Sequence, residues 1–62
     1  MFIVFDNEII NADLIRGARV VGKTVQIYMI DGFEYYERFS TEKEAKDRFF
    51  SLQWEFFRKM ER

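Results

Sequence analysis

The chain has no cysteine, no histidine and no proline among its 62 residues. Without cysteine it can form neither a disulfide nor a thiolate metal site, and without histidine it lacks the commonest metal ligand and general base. Its only serines, Ser40 and Ser51, fall beside a predicted helix start and on the polar side of that helix. A serine nucleophile needs an activating base nearby. We therefore expect no resident metal, no cofactor and no triad-type hydrolase.

The carboxylates form no convergent acid–base pair. Glu34 and Glu37 are an odd number of positions apart, so they fall on opposite faces of a strand. Asp6, Glu8 and Asp13 lie near predicted turns, where acidic residues are common for backbone reasons. The three glycines occur singly and form no phosphate-binding pattern. We expect no catalytic residues and interpret the protein as non-enzymatic.

Neither sign of charge is in excess. Ten basic residues face eleven acidic ones, which gives a net charge of −1 and a pI near 5.3. This balance argues against nucleic acid or an anionic membrane surface as the main partner. No apolar run reaches the roughly 18 residues of a transmembrane helix, and Phe2–Phe5 is too short and lacks the basic start of a signal peptide. The sequence predicts a cytoplasmic protein with no membrane partner.

The small size points to self-association. Residues 1–62 predict a single domain, and a domain this short buries only about 60% of its unfolded surface. Small domains compensate with disulfides, metals or oligomerisation, and the composition leaves only the last of these. Eight phenylalanines and an aromatic content of 19% fit the same inference. We expect a homo-oligomer, with a dimer favoured, and a larger protein as a further candidate partner.

The last third of the chain predicts one helix over about residues 41–61. Thr41 and Glu44 have the spacing of a capping box. No glycine, proline or β-branched residue follows Glu42, so nothing local opposes the helix. Glu44 and Arg48 form one of three favourable i,i+4 pairs, which places Arg48 on the predicted polar side.

The apolar residues of this helix form two stripes. The first has the spacing of an ordinary core face and consists of Ala45, Phe49, Leu52, Phe56 and Met60. The second lies well over a quarter-turn round the axis and consists of Phe50, Trp54 and Phe57. Because a helix on a sheet buries one stripe, we predict that these three aromatics form an oligomer interface. The alternative is that a curled sheet or a wrapped N-terminal strand covers both stripes.

Residues 1–39 predict an antiparallel β-meander of three to five strands. Phe2–Phe5 and a short strand from Glu8 flank the turn pair Asp6–Asn7, and residues 11–16 are either one helical turn capped by Asn11 or a loop. Three strands of period two follow, at Ala18–Val21, Thr24–Ile30 and Phe33–Phe39. The predicted fold class is α+β, with the C-terminal helix packed on the sheet.

Two turns set the predicted register. Gly22–Lys23 places Arg19 opposite Gln26, and Asp31–Gly32, as a two-residue type I′ turn, places Tyr28 opposite Tyr35. One sheet face then forms the floor for the helix and bears Ala18, Val20, Val25, Ile27, Met29 and Tyr36. The other face bears Arg19, Gln26, Tyr28, Tyr35 and Glu37.

This second face is the candidate nucleic-acid surface, with Arg19, Tyr28 and Tyr35 as its binding residues. Basic and aromatic side chains on a sheet suit single strands, whose bases stack on rings. Four basic residues and three carboxylates on or near the face leave about one positive charge in excess: Arg16, Arg19, Lys23 and Arg38 against Asp31, Glu34 and Glu37. We therefore rank this function below self-association and expect only weak, non-specific binding, with a Kd of order 10⁻⁴–10⁻⁶ M.

Three short strings show a resemblance to known proteins: Ile10-Asn11-x-x-x-Ile15, the turn Asp31-Gly32, and Phe39-Ser40-Thr41-Glu42-Lys43-Glu44-Ala45. Over most of its length the chain resembles short bacterial and phage proteins with a meander-plus-helix plan, mostly of no assigned function. That resemblance implies the fold and a bacterial or phage setting. More distantly, the chain is similar to Whirly-type single-strand DNA binders, which also place strands before a helix and self-associate through helices. Neither resemblance supplies functional residues.

Overall fold

The computed structural model describes the backbone of residues 1–60 and the side chains of residues 1–52. Its elements are β1 (Phe2–Phe5), β2 (Glu8–Asn11), a 3-10 turn (Ala12–Leu14), β3 (Ile15–Val21), β4 (Thr24–Met29), β5 (Glu34–Arg38) and α1 (Glu42–Met60). β1 and β2 form a two-stranded sheet, and β3, β4 and β5 form a three-stranded antiparallel sheet in that order. The predicted fold class, an antiparallel meander closed by a C-terminal helix on the sheet, is confirmed.

A tight turn at Asp6–Asn7 joins β1 to β2, as predicted. Both residues have positive φ, 54° and 61°, which is the backbone that a type I′ turn requires. The side chains of the hairpin alternate, so one face enters the core and the other meets solvent. The inner face bears Ile3, Phe5 and Ile10, and the exposed face bears Phe2, Val4 and Ile9.

The segment that the sequence left open between helix and loop forms one turn of 3-10 helix. Asn11 caps this turn, because its Oδ1 accepts a hydrogen bond from the Asp13 N–H at 3.0 Å. The Ala12 N–H donates to the Met1 carbonyl at 2.7 Å. The turn thereby fixes the start of the chain beside the core, where Ala12 is buried.

The pairing of β3 with β4 follows the predicted register at the Gly22–Lys23 turn, with Arg19 opposite Gln26. At the far end the register shifts between Ile15 and Gly17, so Arg16 is the extra residue of a β-bulge. The bulge changes the alternation of side chains. Ile15 packs against the core, whereas Arg16 reaches the Tyr28 ring on the sheet face away from the helix. We call that face the outer face.

The predicted register between β4 and β5 is wrong by one residue. Tyr28 lies opposite Glu34, and Gln26 lies opposite Tyr36. A shift of one residue moves every side chain of a strand to the other face. The outer face therefore bears Glu34, Tyr36 and Arg38, and the helix face bears Tyr35 and Glu37.

The loop between these strands explains the error. It has three residues rather than two, because the Met29 N–H donates to the Phe33 carbonyl at 2.8 Å and the Gly32 N–H donates to the Met29 carbonyl at 3.1 Å. Gly32 has a φ of 98°, and Asp31 is not among the residues with positive φ. A type I′ turn needs a positive φ at both of its central residues. This loop instead has the three-residue pattern, in which the last loop residue is a glycine with positive φ.

Helix α1 begins at the predicted cap and packs on the helix face of the sheet. Thr41 Oγ1 accepts from the Glu44 N–H at 3.2 Å. Ala45 and Leu52 are buried and Phe49 packs against them, as the first stripe predicts, whereas Phe56 lies outside the described side chains, as does Met60. Hairpin, sheet and helix contribute to one core, made of Ile3, Phe5, Ile10, Ala12, Val25, Ile27, Met29, Ala45 and Leu52.

The sequence predicted that Arg48 lies on a polar side of the helix, and this prediction is wrong. Its Nε donates to Glu37 Oε1 at 2.9 Å and its Nη2 donates to the Val4 carbonyl at 2.6 Å. The guanidinium carbon lies 5.4 Å from the centroid of the Phe5 ring. In place of the predicted pair with Glu44, these contacts join α1 to β1 and β5. The N-terminal hairpin therefore packs on the Arg48 side of the helix.

Candidate interaction surfaces

A hydrogen-bonded network centred on Gln26 occupies the outer face. Gln26 is only 7% exposed. Its Oε1 accepts from Arg19 Nε at 2.9 Å and from the Tyr28 hydroxyl at 3.2 Å. Its Nε2 donates to the Tyr36 hydroxyl at 2.9 Å and to Glu34 Oε1 at 3.2 Å. The amide can donate two hydrogen bonds and accept two, so its capacity is fully used.

The chemistry of the partners determines how the Gln26 amide is oriented. Arginine can only donate and a carboxylate can only accept, so Oε1 must face Arg19 and Nε2 must face Glu34. The Tyr36 hydroxyl accepts from Gln26 and donates to Glu34 Oε1 at 2.6 Å. This bond to a carboxylate raises the pKa of Tyr36 above its ordinary value of 10.0. The Tyr36 ring is thus held at its hydroxyl end while the residue remains 49% exposed.

Two guanidinium groups share one aromatic ring beside this network. The Cζ atoms of Arg16 and Arg19 each lie 5.7 Å from the centroid of the Tyr28 ring, within the range of a cation–π interaction. The same ring lies against Gly17, where a Cβ would make an ordinary van der Waals contact of 3.8 Å with its Cδ2. The ion pairs of the described residues involve neither arginine. The outer face therefore presents two adjacent cations with no carboxylate at ion-pair distance in this part of the chain.

The structure brings two of the three predicted nucleic-acid residues together and separates the third. Arg19 and Tyr28 meet in the network, but Tyr35 lies opposite Ile27 and packs against the core on the helix face. Glu37 also leaves the outer face, because it pairs with Arg48. Four basic residues then face two carboxylates on the outer face and its loops: Arg16, Arg19, Lys23 and Arg38 against Asp31 and Glu34.

Sequence reasoning counted Arg16 among the charges on or near this face but did not name it as a binding residue, and it placed Tyr36 on the helix face. A single glycine inside a strand pattern is a signal for a bulge, and Gly17 supplied it for Arg16. The signal for Tyr36 was weaker, because an Asp-Gly pair fits both a two-residue and a three-residue hairpin loop.

Phe50 is the described member of the second helix stripe. It is 59% exposed, and its ring meets the Phe49 ring edge-on with centroids 5.9 Å apart. Two positions separate Phe50 from Arg48, which is about 160° round a helix axis. Phe50 therefore faces away from the side on which the hairpin packs. Trp54 and Phe57, the other predicted interface residues, lie outside the residues whose side chains the structure describes.

The N-terminal hairpin has an exposed apolar patch of its own. Phe2, Val4 and Ile9 lie on the hairpin face away from the core, with Val4 directly opposite Ile9. Ile9 is the most exposed of them, at 74%. This patch and Phe50 lie on different sides of the molecule, so one flat contact cannot cover both.

Within residues 1–60, no helix is long and apolar enough to cross a membrane. The described side chains also contain no group of three or more acidic residues that could hold a metal ion. Comparison with protein-family models, with curated proteins and with solved structures finds no match for this chain. Function must therefore be argued from the geometry of these surfaces.

Proposed function

We propose that the protein is a small non-enzymatic interaction module that forms a homodimer through the second stripe of α1. The observation that supports this most directly is the exposure of Phe50, 59% in a helix whose Ala45 and Leu52 are fully buried. The sequence continues the stripe with Trp54 and Phe57. Monomeric proteins seldom expose a run of large aromatic residues without a use for it.

The size of the stripe matches a dimer contact. One Trp and two Phe side chains bury roughly 150–250 Å² each, or about 450–750 Å² per copy. A standard interface buries about 800 Å² per partner. A two-fold axis would pack the stripe against its own copy. Since the hairpin packs on the other side of the helix, a second copy is a better occupant than a segment of the same chain.

The proposal is tested by the mass of the protein in solution. Light scattering should give a dimer for the native protein and a monomer for Phe50→Glu and for Trp54→Glu. Each substituted dimer would bury two carboxylates without partners, at a cost of several kcal/mol. Circular dichroism should show that Phe50→Glu keeps its fold, since the residue is exposed in the single chain.

The matched control is Ile9→Glu, at an apolar residue of the hairpin patch that is more exposed, at 74%, than Phe50. It should leave the mass of the dimer unchanged. If Ile9→Glu lowers the mass and Phe50→Glu does not, the interface is the hairpin patch and the helix stripe is excluded. A native protein that stays monomeric at high concentration, with Trp54 fluorescence typical of a dry ring, would refute the dimer altogether.

A further inference from the structure

We infer that the outer face is a binding site for single-stranded nucleic acid, in which Arg16 and Arg19 bind phosphates and Tyr36 stacks on a base. The site lies on the opposite face of the sheet from α1, so it is separate from the proposed dimer contact. The shifted register of β5 favours this function, because it moves Glu37 off this face and brings Tyr36 onto it.

Arg16 and Arg19 form a pair of cations on the outer face. Both guanidinium groups approach the same Tyr28 ring at 5.7 Å, and Gln26 Oε1 also holds Arg19. Two positive charges beside one ring create a local positive potential that attracts an anionic ligand. The guanidinium fork matches the oxygens of a phosphate, which it can contact through two parallel hydrogen bonds. The chemistry of the pair therefore favours an anionic ligand with paired oxygens, which a phosphate supplies.

Tyr36 supplies the second element. Its ring is half-exposed, and its hydroxyl is fixed between Gln26 and Glu34. A ring that is already ordered loses little conformational entropy when a ligand packs on it. Bases stack on such rings regardless of sequence, because every base has an aromatic face.

The spacing joins the two elements into one site. Arg19, Gln26 and Tyr36 are direct neighbours on β3, β4 and β5. Adjacent strands lie about 4.7–4.9 Å apart, so the arginine and the ring are roughly 10 Å apart across the sheet. A single strand offers a phosphate and an unpaired base within that reach. A duplex keeps its bases stacked inside, and an acidic peptide has no base to stack, so each would use only part of the site.

Glu37 lies on the helix face and not on the outer face, so the outer face carries one negative charge fewer than the sequence predicted. With Glu37 paired to Arg48, four basic residues face two carboxylates on the outer face and its loops. Glu34 accepts from Gln26 and Tyr36 and does not form an ion pair with Arg16 or Arg19. The Glu34 carboxylate thus orients the Tyr36 ring and leaves the cations open to a ligand.

The test is a fluorescence-anisotropy titration of the full chain with a labelled single-stranded oligothymidylate at a series of salt concentrations. Two phosphate contacts predict that log K falls with log salt at a slope of about −1.4. Arg16→Gln should make that slope shallower by about 0.7, the share of one phosphate. Tyr36→Leu should weaken binding by about tenfold at an unchanged slope, whereas Tyr36→Phe, which keeps the ring but loses the hydroxyl that orders it, should lose less.

Lys43→Gln is the matched control, because it removes one positive charge from α1, away from the outer face. It should change neither affinity nor slope. Three results would overturn the inference: no binding at low salt, equal losses for Lys43→Gln and Arg16→Gln, or duplex DNA or polyglutamate binding as tightly as the single strand. The dimer proposal is tested independently, since Phe50→Glu should change the mass of the protein and leave the salt slope intact.

Discussion

Replacing Arg48 with methionine tests how the three parts of the fold are held together. The side chain donates to Glu37 on β5 and to the Val4 carbonyl on β1, and its guanidinium covers the Phe5 ring. Glu37 in turn accepts from the Asp6 N–H at 3.0 Å through its other oxygen. Arg48→Met removes the charge and the donors but keeps an unbranched stem over the ring.

The expected loss follows from the exposure of the pair. The side chains of Arg48 and Glu37 are 26% and 24% exposed, which lies between a buried pair and a surface pair. Breaking a buried pair costs about 3–5 kcal/mol, and surface pairs contribute about 0–1 kcal/mol. Glu37 would keep the Asp6 N–H and gain access to water, so we expect a loss of about 2 kcal/mol. For a domain of this size that lowers Tm by about 8–16 °C.

Urea and thermal unfolding, followed by circular dichroism at one protein concentration, measure this loss. The concentration must be fixed because the proposed dimerisation would make Tm depend on it. Lys43→Met is the control, since its pair with Asp47 is exposed and should contribute less than about 1 kcal/mol. If Arg48→Met and Lys43→Met destabilise the protein equally, the Arg48 contacts do not stabilise the fold and our reasoning is wrong.

Two further predictions concern the turn and the network. Asn7 has a φ of 61°, in the left-handed region that glycine adopts without strain. Asn7→Gly should therefore raise the free energy of unfolding by up to about 1 kcal/mol, because the relief of this strain exceeds the effect of the added freedom of the unfolded chain. A lower free energy of unfolding for Asn7→Gly, measured by urea denaturation, would refute this prediction. The hydrogen bond to Glu34 raises the pKa of Tyr36, so the folded state holds that proton more tightly than the unfolded state does. The resulting stabilisation is fully present below the ordinary pKa of 10.0 and is lost as the pH rises through the folded pKa. Glu34→Gln should lower the pKa of Tyr36 in a spectrophotometric titration, with Tyr36→Phe identifying the signal.

Local signals in the sequence were sufficient for most of the fold. The Asp6–Asn7 and Gly22–Lys23 turns, the Thr41 cap and the first helix stripe all follow from residue types at fixed spacing. Each depends on contacts within a few residues of chain, so no knowledge of the rest of the molecule was needed.

The register of β5 could not be predicted because its residues do not favour either face. Glu34–Arg38 reads Glu-Tyr-Tyr-Glu-Arg, and the same chemical types occur at odd and even positions. Tyrosine suits both a core edge and an exposed sheet face. Only the loop length decides between the two registers. The loop has three residues because it ends with Gly32 in a positive-φ conformation, which the sequence does not specify.

Arg48 was misplaced for a different reason. Its spacing from Glu44 is ideal for a helix pair, but such a pair contributes only about 0.2–0.5 kcal/mol. A partly buried carboxylate and a backbone carbonyl from distant strands offer stronger partners. Contacts of this kind, between residues 11 and 44 positions apart, are not visible to an argument from helix periodicity.

The outer face is difficult to explain by stability alone. Its hydrogen bonds replace bonds to water and contribute little net free energy each. Arg16 and Arg19 lie beside one ring with no carboxylate at ion-pair distance among the described residues, so no ion pair there stabilises either charge. The arrangement holds the Arg16 and Arg19 cations and the Tyr36 ring in fixed positions before any ligand binds. Departures from local stability of this kind are expected where a surface serves binding, and this supports the proposal that the outer face binds a ligand.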